Sequence, residues 1–338
     1  MGVVRFLGKL FFLCAGVLVV CAGIFAFRVH QRYEEPGLHE QDVVVLIPRG
    51  SGLAGIAERL HGAGLLPGRL DTEIFLLSAR LDGRSASLKA GEYAIPAGAS
   101  MAAVLDQLAA GTGMVRYPLT IPEGLTTAEV LHRVRDMAVL DGELTVSPGE
   151  GTLLPETWQV MRGDSRDAVV RRMMGAMGDT LEALWSQRVE GLPLKDRRQA
   201  LILASVVEKE TAVPGERPRV AAVFINRLRL GMPLQSDPTV IYGLSPDDGS
   251  LDRALLRKDL EQDHPWNTYT RPGLPAGPIA NPGRESIAAV LAPAQTKDLY
   301  FVADGTGGHV FAETLDEHNR NVARWRKISR GKERADAR

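Results

Sequence analysis

Two glutamates in one segment, Glu208 and Glu210, are the residues of this chain best suited to acid–base chemistry. They lie near the end of a run without Gly or Pro, from Gln199 to Thr211, and Pro214-Gly215 follows, so the sequence predicts a helix that ends there. At roughly 100° per residue, Glu210 lies near the middle of the apolar face, whereas Glu208 lies roughly 200° away, near Ser205 on the polar side. The pattern therefore predicts one inward and one outward carboxyl group.

An inward carboxyl group is costly to ionise, and this gives Glu210 a chemical use. Desolvation raises the pKa of a glutamate, and a general acid that works near neutral pH needs a raised pKa. The alternative is structural, with Glu210 buried in an ion pair with a nearby arginine. The candidate arginines are Arg217, Arg219 and Arg227. Helical spacing alone leaves both interpretations open.

The segments that follow this helix are rich in neutral hydrogen-bonding and aromatic side chains. Val220–Leu230 has helical spacing and ends at Gly231-Met232-Pro233, after which a turn is expected. Side chains of Asn, Gln, Tyr and Thr suit carbohydrate, because sugar hydroxyl groups need many neutral hydrogen-bond partners. Three loops have this character: Leu234–Gly243, Trp266–Thr270 and Gly273–Gly283.

A pattern that occurs three times in the N-terminal half predicts strand–turn–helix units. A short β-like run, then Pro-x-Gly and a hydroxyl residue, recurs at Ile47–Ser51, Ile95–Ser100 and Ile121–Thr126. Pro and Gly favour the turn, and Ser or Thr can cap the helix that follows. Units of this kind resemble a LysM-type glycan-binding module, at least around residues 42–66, although such units also occur without any ligand. The predicted helices are Leu53–Leu60, Met101–Leu108 and Ala128–Val134.

The N-terminus contains an uncharged apolar segment, Leu10–Phe27, with basic residues on both sides. A spanning helix needs roughly 20 apolar residues, and flanking side chains can make up the difference. A cleaved signal peptide usually has a shorter apolar region and a small-x-small cleavage site, which Ala26-Phe27-Arg28 does not offer. We therefore predict one uncleaved membrane-spanning helix. Charge does not decide its orientation, because both flanks are basic.

Composition argues against several classes of function. The 338 residues carry a formal net charge of −1, so no excess of positive charge indicates binding of nucleic acid. Both cysteines, Cys14 and Cys21, lie in the apolar segment, which excludes disulfides, thiolate zinc sites and a cysteine nucleophile from residues 28–338. The histidines lack zinc-hydrolase spacing, and we expect His309 and His318 to form local hydrogen bonds. No Gly-rich phosphate loop or Gly-x-Ser-x-Gly motif occurs, and no metal or cofactor is predicted.

A string of motifs extends over the C-terminal half of the chain. They are Ala204–Thr211, Val223–Leu228, Leu234–Gly243, Asn267–Tyr269, Gly273–Pro275, Tyr300–Gly305, Gly308-His309 and His318-Asn319. This string resembles the endolytic murein transglycosylase (YceG-like) family, and the resemblance covers nearly the whole chain. Two departures are mild: Pro155-Glu156-Thr157-Trp158 replaces the usual Pro-Asp-Thr-Tyr, and Ser236 stands where Thr is common.

The resemblance implies one essential glutamate, Glu210, that acts first as acid and then as base. Protonated Glu210 would donate to the oxygen between N-acetylmuramic acid and N-acetylglucosamine, and the carboxylate would then take the proton of the muramic C6 hydroxyl group. That hydroxyl attacks C1, so a 1,6-anhydro end forms without water. The residues expected to position the substrate are Gln235, Ser236, Asp237, Tyr242, Asn267 and Asn281. Two alternatives stay open: a hydrolytic muramidase with Asp237 as second carboxylate, and a non-catalytic, membrane-tethered peptidoglycan-binding scaffold.

We therefore expect an α+β protein with an N-terminal transmembrane helix, a small LysM-like β/α module and a larger mixed α+β catalytic domain. The boundaries expected are 1–9 for a cytoplasmic N-terminus, 10–27 for the transmembrane helix, 28–41 for a linker, 42–115 for the LysM-like module, 116–328 for the catalytic transglycosylase domain and 329–338 for a basic tail. The resemblance implies a bacterial inner (plasma) membrane location with the C-terminal part in the periplasm or cell exterior. It also implies nascent peptidoglycan strands as substrate and peptidoglycan synthases as candidate partners.

Overall fold

The structure, a computed structural model, describes residues 2–245 and 249–336 and has a mixed α+β fold. The helices in these ranges are α1 Gly2–Glu34, α2 Leu53–Gly62, α3 Arg69–Leu81, α4 Met101–Ala110, α5 Thr127–Asp136, α6 Arg166–Ser186, α7 Arg197–Glu210, α8 Arg217–Arg229, α9 Asp237–Leu244, α10 Arg257–Glu261, α11 Arg284–Leu291 and α12 Leu315–Asp336, with a 3₁₀ turn at Pro214–Glu216. The strands are β1 Val43–Ile47, β2 Gly91–Ile95, β3 Tyr117–Thr120, β4 Thr157–Val160, β5 Tyr300–Ala303 and β6 His309–Ala312.

The strands described pair two by two, as β1–β2, β3–β4 and β5–β6. β1 and β2 are antiparallel and run from the pair Val43–Ile95 to the pair Ile47–Gly91. β5 and β6 are also antiparallel, with Tyr300 opposite Ala312. Sheets this small cannot supply a core alone, so the helices that cover them provide most of the buried apolar surface.

The chain divides into two compact units. The first extends to Tyr117 and includes Met161–Gly163, and the second comprises Pro118–Val160 and the chain from Asp164 onward. In the first unit α2 packs against β1 and α3, and α3 packs against α4; the core that they share with the sheet contains Phe75, Tyr93 and Leu105.

The helix α1 is long and apolar enough over Gly8–Glu34 to cross a membrane, which is compatible with the predicted anchor. It differs from the prediction at its C-terminal end, because residues 28–34 of the expected linker 28–41 are helical. Tyr33 is buried in the core of the first unit, and Arg32 donates a 2.8 Å hydrogen bond to Asp71 of α3. These contacts make the end of α1 part of the first unit.

The three predicted strand–turn–helix units are confirmed, with one difference in capping. The glycines of the three turns, Gly50, Gly98 and Gly124, all have positive φ, a conformation that glycine adopts without strain. Thr126 caps α5 and Ser100 caps α4 by accepting a hydrogen bond from the third backbone N–H of its helix. The N-cap of α2 is Gly52, however, and no side chain caps that helix. The LysM-like character of residues 42–115 stays a prediction.

In the second unit, α7 lies at the centre of the core. Every residue from 200 to 207 is buried, and α7 packs against α6, α8, α9 and α11. The N-cap Asp196 accepts a 2.8 Å hydrogen bond from the backbone of Gln199, and the helix ends at Glu210 because Thr211 is extended. Glu210 is thus the last residue of a helix that other helices enclose, and this holds its backbone in a fixed position.

At the C-terminal end, the expected basic tail 329–338 is helical as far as the structure describes it, because α12 continues to Asp336. Residues 337–338 of that tail lie outside the described residues.

Candidate active site

A cleft of about 350 Å³ lies at the C-terminal end of α7. Acidic, basic, amide and aromatic side chains line one continuous surface there, as expected of a site for a polar ligand with rings. The lining residues are Glu210, Phe224, Arg227, Leu234, Gln235, Asp237, Tyr269, Tyr300, Phe301, Leu315 and His318. All of them belong to the second unit.

Glu210, the last residue of α7, is half-buried in the cleft wall. Burial, and to a lesser degree the negative charge of Asp237, raises the pKa of this carboxyl group from 4.5 to about 7. A hydrogen bond from Ser236 and the positive charges of His309 and Arg227 act in the opposite direction. The result is a group that can hold or release a proton near neutral pH, which acid–base catalysis requires.

The three arginines considered as ion-pair partners of Glu210 are engaged elsewhere. Arg217 lies 3.2 Å from Glu208 and 2.9 Å from Glu123, and Arg219 pairs with Asp298 at 2.6 Å. Arg227 donates to the backbone carbonyl oxygens of Leu234 and Leu299, at 2.7 Å each. Among the ion pairs of the described residues, none involves Glu210, so the structural alternative for this residue is not observed.

The prediction that Glu208 points outward is wrong. Its side chain is only 5% exposed, and its Oε2 accepts a 2.8 Å hydrogen bond from the backbone of Gly283. Ser205, expected on the same polar side, is also buried and donates to the carbonyl oxygen of Ile202. The reason is that helices cover α7 on more than one side, so its polar side is also buried. Glu208 is neutralised by Arg217, and it therefore differs from Glu210 in pairing rather than in direction.

A strained loop positions Ser236 against Glu210. Gln235 has φ of +51°, a left-handed conformation that a non-glycine residue adopts at some cost. Two hydrogen bonds hold the backbone there: Gln235 N–H donates to the Thr268 carbonyl at 3.1 Å, and Ser236 N–H donates to Thr268 Oγ1 at 3.0 Å. In this geometry Ser236 Oγ donates a 2.5 Å hydrogen bond to Glu210 Oε1.

Asp237, the next residue after Ser236, lines the same cleft as Glu210 and is paired with an aromatic hydroxyl group. It is the first residue of α9, so the expected turn at Leu234–Gly243 is helical from this point onward. Tyr269 donates a 2.5 Å hydrogen bond to Asp237 Oδ1. Burial, together with this bond, raises the pKa of Tyr269 and keeps it a donor. Asp237 is thereby held in a fixed orientation at the cleft.

Of the six predicted positioning residues, Gln235 and Asp237 line the cleft and Ser236 bonds Glu210, whereas the other three are not among the lining residues. Tyr242 is buried beside Trp266 and donates to Glu150 at 3.1 Å. Asn267 is fully buried; its amide group donates to Leu260 and Gln262, and its oxygen accepts from the backbone of Tyr269. Asn281 is also fully buried, and it accepts from Leu153 and donates to Leu125. Thus the structure brings Gln235, Ser236 and Asp237 to Glu210, whereas Tyr242, Asn267 and Asn281 tie loops together.

The placement of Asn281 predicts a loss of stability rather than a loss of substrate affinity on substitution. We expect Asn281→Ala to lower the free energy of unfolding by about 2 kcal/mol, because the buried Leu153 N–H loses its acceptor, while the Leu125 carbonyl keeps the backbone N–H of residue 281. The exposed Asn319→Ala provides the control. Chemical unfolding and KM are measured side by side. A raised KM with unchanged stability would restore Asn281 to the substrate site.

Four polar residues of the cleft were not selected as site residues from the sequence: Arg227, Tyr269, Tyr300 and His318. All four lie in motifs of the family string, but spacing gives no sign that they converge. The expectation that His318 forms a local hydrogen bond is wrong, because its Nδ1 is buried without a partner and its ring stacks on Tyr300 at 5.2 Å. His309 does form a hydrogen bond, at 2.7 Å to the distant Glu216. In the ranges 2–245 and 249–336, no group of three or more His, Cys, Asp or Glu side chains is placed to hold a metal ion.

The bond between Ser236 and Glu210 leads to a test by pH. Because Ser236 donates to the carboxylate form, it lowers the pKa of Glu210, and its removal raises that pKa. We expect Ser236→Ala to move the alkaline limb of the kcat/KM profile to higher pH by about one pH unit. The control is Ser205→Ala. Ser205 is a buried serine of α7, the helix that contains Glu210, and its Oγ forms hydrogen bonds with the backbone of Ile202 and Ile279. An unmoved limb in Ser236→Ala would mean that Glu210 does not set it.

Comparisons with known proteins agree on one family. A sequence model of the YceG-like family matches residues 45–324. The endolytic murein transglycosylase of Bacillus subtilis (strain 168) is 30% identical over 309 residues, which cover 82% of this chain and 83% of the relative. The protein of the same name from Streptococcus pneumoniae (strain D39) is 30% identical over 325 residues, and the chain spans 58% of its length. The crystal structure of a YceG-like protein from Listeria monocytogenes is similar, with a TM-score of 0.51 and 27% identity over 83% of this chain and 98% of that one.

Proposed function

The chain belongs to the YceG-like family, as its motifs indicated, and from this premise we propose that it is a membrane-anchored lytic transglycosylase that cuts peptidoglycan strands internally. Two curated relatives with the name endolytic murein transglycosylase support the reaction class. The single observation that carries the assignment is the carboxyl group of Glu210, which lines the cleft, has a pKa raised to about 7 and has no ion-pair partner among the described residues.

In the first step, Glu210 acts as general acid. Burial favours its protonated form, so it enters the reaction with a proton to give. That proton goes to the oxygen that links C1 of N-acetylmuramic acid to the next sugar, and the C1–O bond breaks. The positive charge that develops at C1 faces a cleft that contains two carboxyl groups, those of Glu210 and Asp237.

In the second step, the same group acts as general base. The Ser236 hydroxyl group donates to Glu210 Oε1 at 2.5 Å, and it stabilises the carboxylate left by the first step. This carboxylate accepts the proton of the muramic C6 hydroxyl group while the C6 oxygen forms a bond to C1. Glu210 is protonated again, and the product ends in 1,6-anhydromuramic acid. One residue can serve twice because its pKa lies near the working pH.

In this scheme Asp237 helps to position the substrate. Its carboxylate also makes a second function, that of a hydrolytic muramidase, a candidate. Tyr269 donates a 2.5 Å hydrogen bond to one of its carboxylate oxygens, which fixes the group. A hydrolytic muramidase would use Asp237 as the second carboxylate that most glycosidases require. The two functions differ in the chemistry of the new ends, since only hydrolysis adds water.

The anchor, the location and the partners follow from the same proposal. The apolar helix α1 would hold the protein in the plasma membrane, with the second unit on the outer side where peptidoglycan lies. Reach from the membrane is limited, so the substrates are nascent strands, and peptidoglycan synthases are candidate partners. A LysM-like module at residues 42–115 would bind the strand and a catalytic domain at 116–328 would cut it.

The test uses the full chain in detergent micelles with linear, uncrosslinked glycan strands. We expect the strand-length distribution to shift to shorter lengths, with internal cuts from the earliest time points. Strands that bind but keep their length would establish the non-catalytic scaffold. Release of single terminal units would contradict the internal mode of cutting.

A further inference from the structure

The wall of the cleft formed by β5 and α12 contains a histidine that the mechanism does not use. His318 lies on the first turns of α12 and lines the cleft together with Glu210. Its ring stacks on Tyr300 at 5.2 Å with an interplanar angle of 26°. Arg227 lies over the same tyrosine at 5.2 Å, and its own donors are held by backbone carbonyl groups. Stacking on an anchored tyrosine restricts the orientation of the imidazole.

The burial of one ring nitrogen decides the protonation of His318. Nδ1 is buried and has no hydrogen-bond partner, so a proton there would be an unsatisfied buried donor. Burial and the nearby charge of Arg227 lower the pKa of His318, and this favours the neutral ring. The proton of a neutral ring therefore resides on Nε2, and this N–H is the donor that remains for a ligand in the cleft.

The surroundings of this donor favour a neutral acceptor. Asp237 and Arg227 line the same cleft with opposite charges, so the cleft does not select a charged acceptor of either sign, whereas a carbonyl oxygen carries no net charge and suits the neutral Nε2–H donor. The apolar side chains of Phe301 and Leu315 lie in the same wall as His318. An acetamido group has both required parts: a strong neutral acceptor in its carbonyl oxygen and a methyl group for the apolar side chains.

We propose that His318, with Phe301 and Leu315, forms a binding site for the N-acetyl group of an amino sugar next to Glu210. His318 Nε2–H donates to the acetamido oxygen, and the two apolar side chains contact the methyl group. This inference rests on the proposed function, and it adds that the protein selects N-acetylated strands over de-N-acetylated ones. His318 is a specificity residue and takes no part in proton transfer.

Two substitutions separate the Nε2 donor from the bulk of the ring. In His318→Gln the amide nitrogen occupies about the position of Nε2, whereas in His318→Asn it occupies about the position of Nδ1. We expect His318→Asn to raise KM on N-acetylated strands roughly tenfold, which is the loss of one hydrogen bond, and His318→Gln to stay near wild type. The value of kcat is expected to change little in either variant, because Glu210 is untouched.

The experiment measures kcat and KM of the full chain and both variants on N-acetylated strands and on the same strands after chemical de-N-acetylation. Wild type is expected to prefer the acetylated strands, and His318→Asn is expected to lose that preference while the two proteins cut de-N-acetylated strands equally. A drop in kcat that is equal on both substrates, or an Asn variant that keeps the preference, overturns the inference. Strands left uncut by wild type would instead refute the proposed function, so the two failures are distinguishable.

A direct measurement of the tautomer covers the case in which a variant does not fold. Nitrogen NMR of the isotope-labelled wild-type chain, with His318 assigned by through-bond correlation to its own backbone, is expected to show a neutral ring with the proton on Nε2 at neutral pH. A proton on Nδ1 would contradict the inference without any activity measurement.

Discussion

Glu210→Gln is expected to reduce the rate of strand cleavage by about 10³-fold or more while the fold is retained. General acid–base catalysis contributes about 10² to 10⁴ in rate, and Glu210 acts in both steps of the proposed reaction. Glutamine has the same shape and can still accept the hydrogen bond from Ser236, so the loss isolates the proton. The measurement is kcat on uncrosslinked strands, with strand binding measured in parallel.

The matched control is Glu208→Gln, two residues earlier in the same helix. Glu208 is buried and paired with Arg217, so this variant is expected to lose stability but keep the cleavage rate of the folded protein. If Glu208→Gln were inactive and Glu210→Gln active, the roles assigned to the two glutamates would be reversed.

Glu210→Gln also changes the dependence of stability on pH. The pKa of Glu210 is raised from 4.5 to about 7 in the folded protein, so the folded state binds a proton more tightly than the unfolded state. Stability is therefore lost as the pH rises through this window, up to about 3 kcal/mol, less whatever solvent in the cleft screens. Glu210→Gln removes that cost. We expect its thermal midpoint to exceed that of wild type at pH 8 and the difference to vanish toward pH 4.

Arg217→Met is expected to lower the free energy of unfolding by about 3 to 5 kcal/mol. Arg217 is buried and lies 3.2 Å from Glu208, whose side chain is only 5% exposed. Loss of the Arg217 guanidinium therefore leaves the buried Glu208 carboxylate without this positive charge. Methionine fills a similar volume, so the charge is the main change. Arg229→Met, an exposed arginine of the same helix α8, is the control.

A double variant tests the cause of this loss. In Arg217→Met with Glu208→Gln, both charges are absent, and we expect the double variant to be more stable than Arg217→Met alone. Chemical unfolding of the four proteins completes the cycle. Additive effects of the two substitutions would mean that the ion pair does not stabilise the core.

The sequence was informative where local spacing determines structure. Pro, Gly and hydroxyl residues predicted the turns before α2, α4 and α5, because each of these residues acts on the adjacent backbone. Apolar spacing also located α7 and the inward position of Glu210. The same spacing failed for Glu208, since periodicity assumes that one side of a helix is exposed and α7 is covered on several sides.

The residues that surround Glu210 in the candidate site were harder to predict than Glu210 itself. Amide and hydroxyl side chains bind sugars and also tie loops, and only tertiary contacts distinguish the two uses. Asn267 and Asn281 are saturated by backbone groups, whereas Gln235 lines the cleft. Tyr269 and His318 line the same cleft as Glu210 although their segments are distant in sequence, and no spacing rule predicts that convergence.

If Glu210 catalyses cleavage without water, no solvent oxygen enters the new ends, and cleavage in oxygen-18-enriched water tests this. Strands are cut by the full chain in that water, and the new muramic acid ends are analysed by mass spectrometry. We expect 1,6-anhydro ends that lack heavy oxygen in wild type and no new ends in Glu210→Gln. Reducing ends that carry oxygen-18 would contradict it and would establish a hydrolytic muramidase.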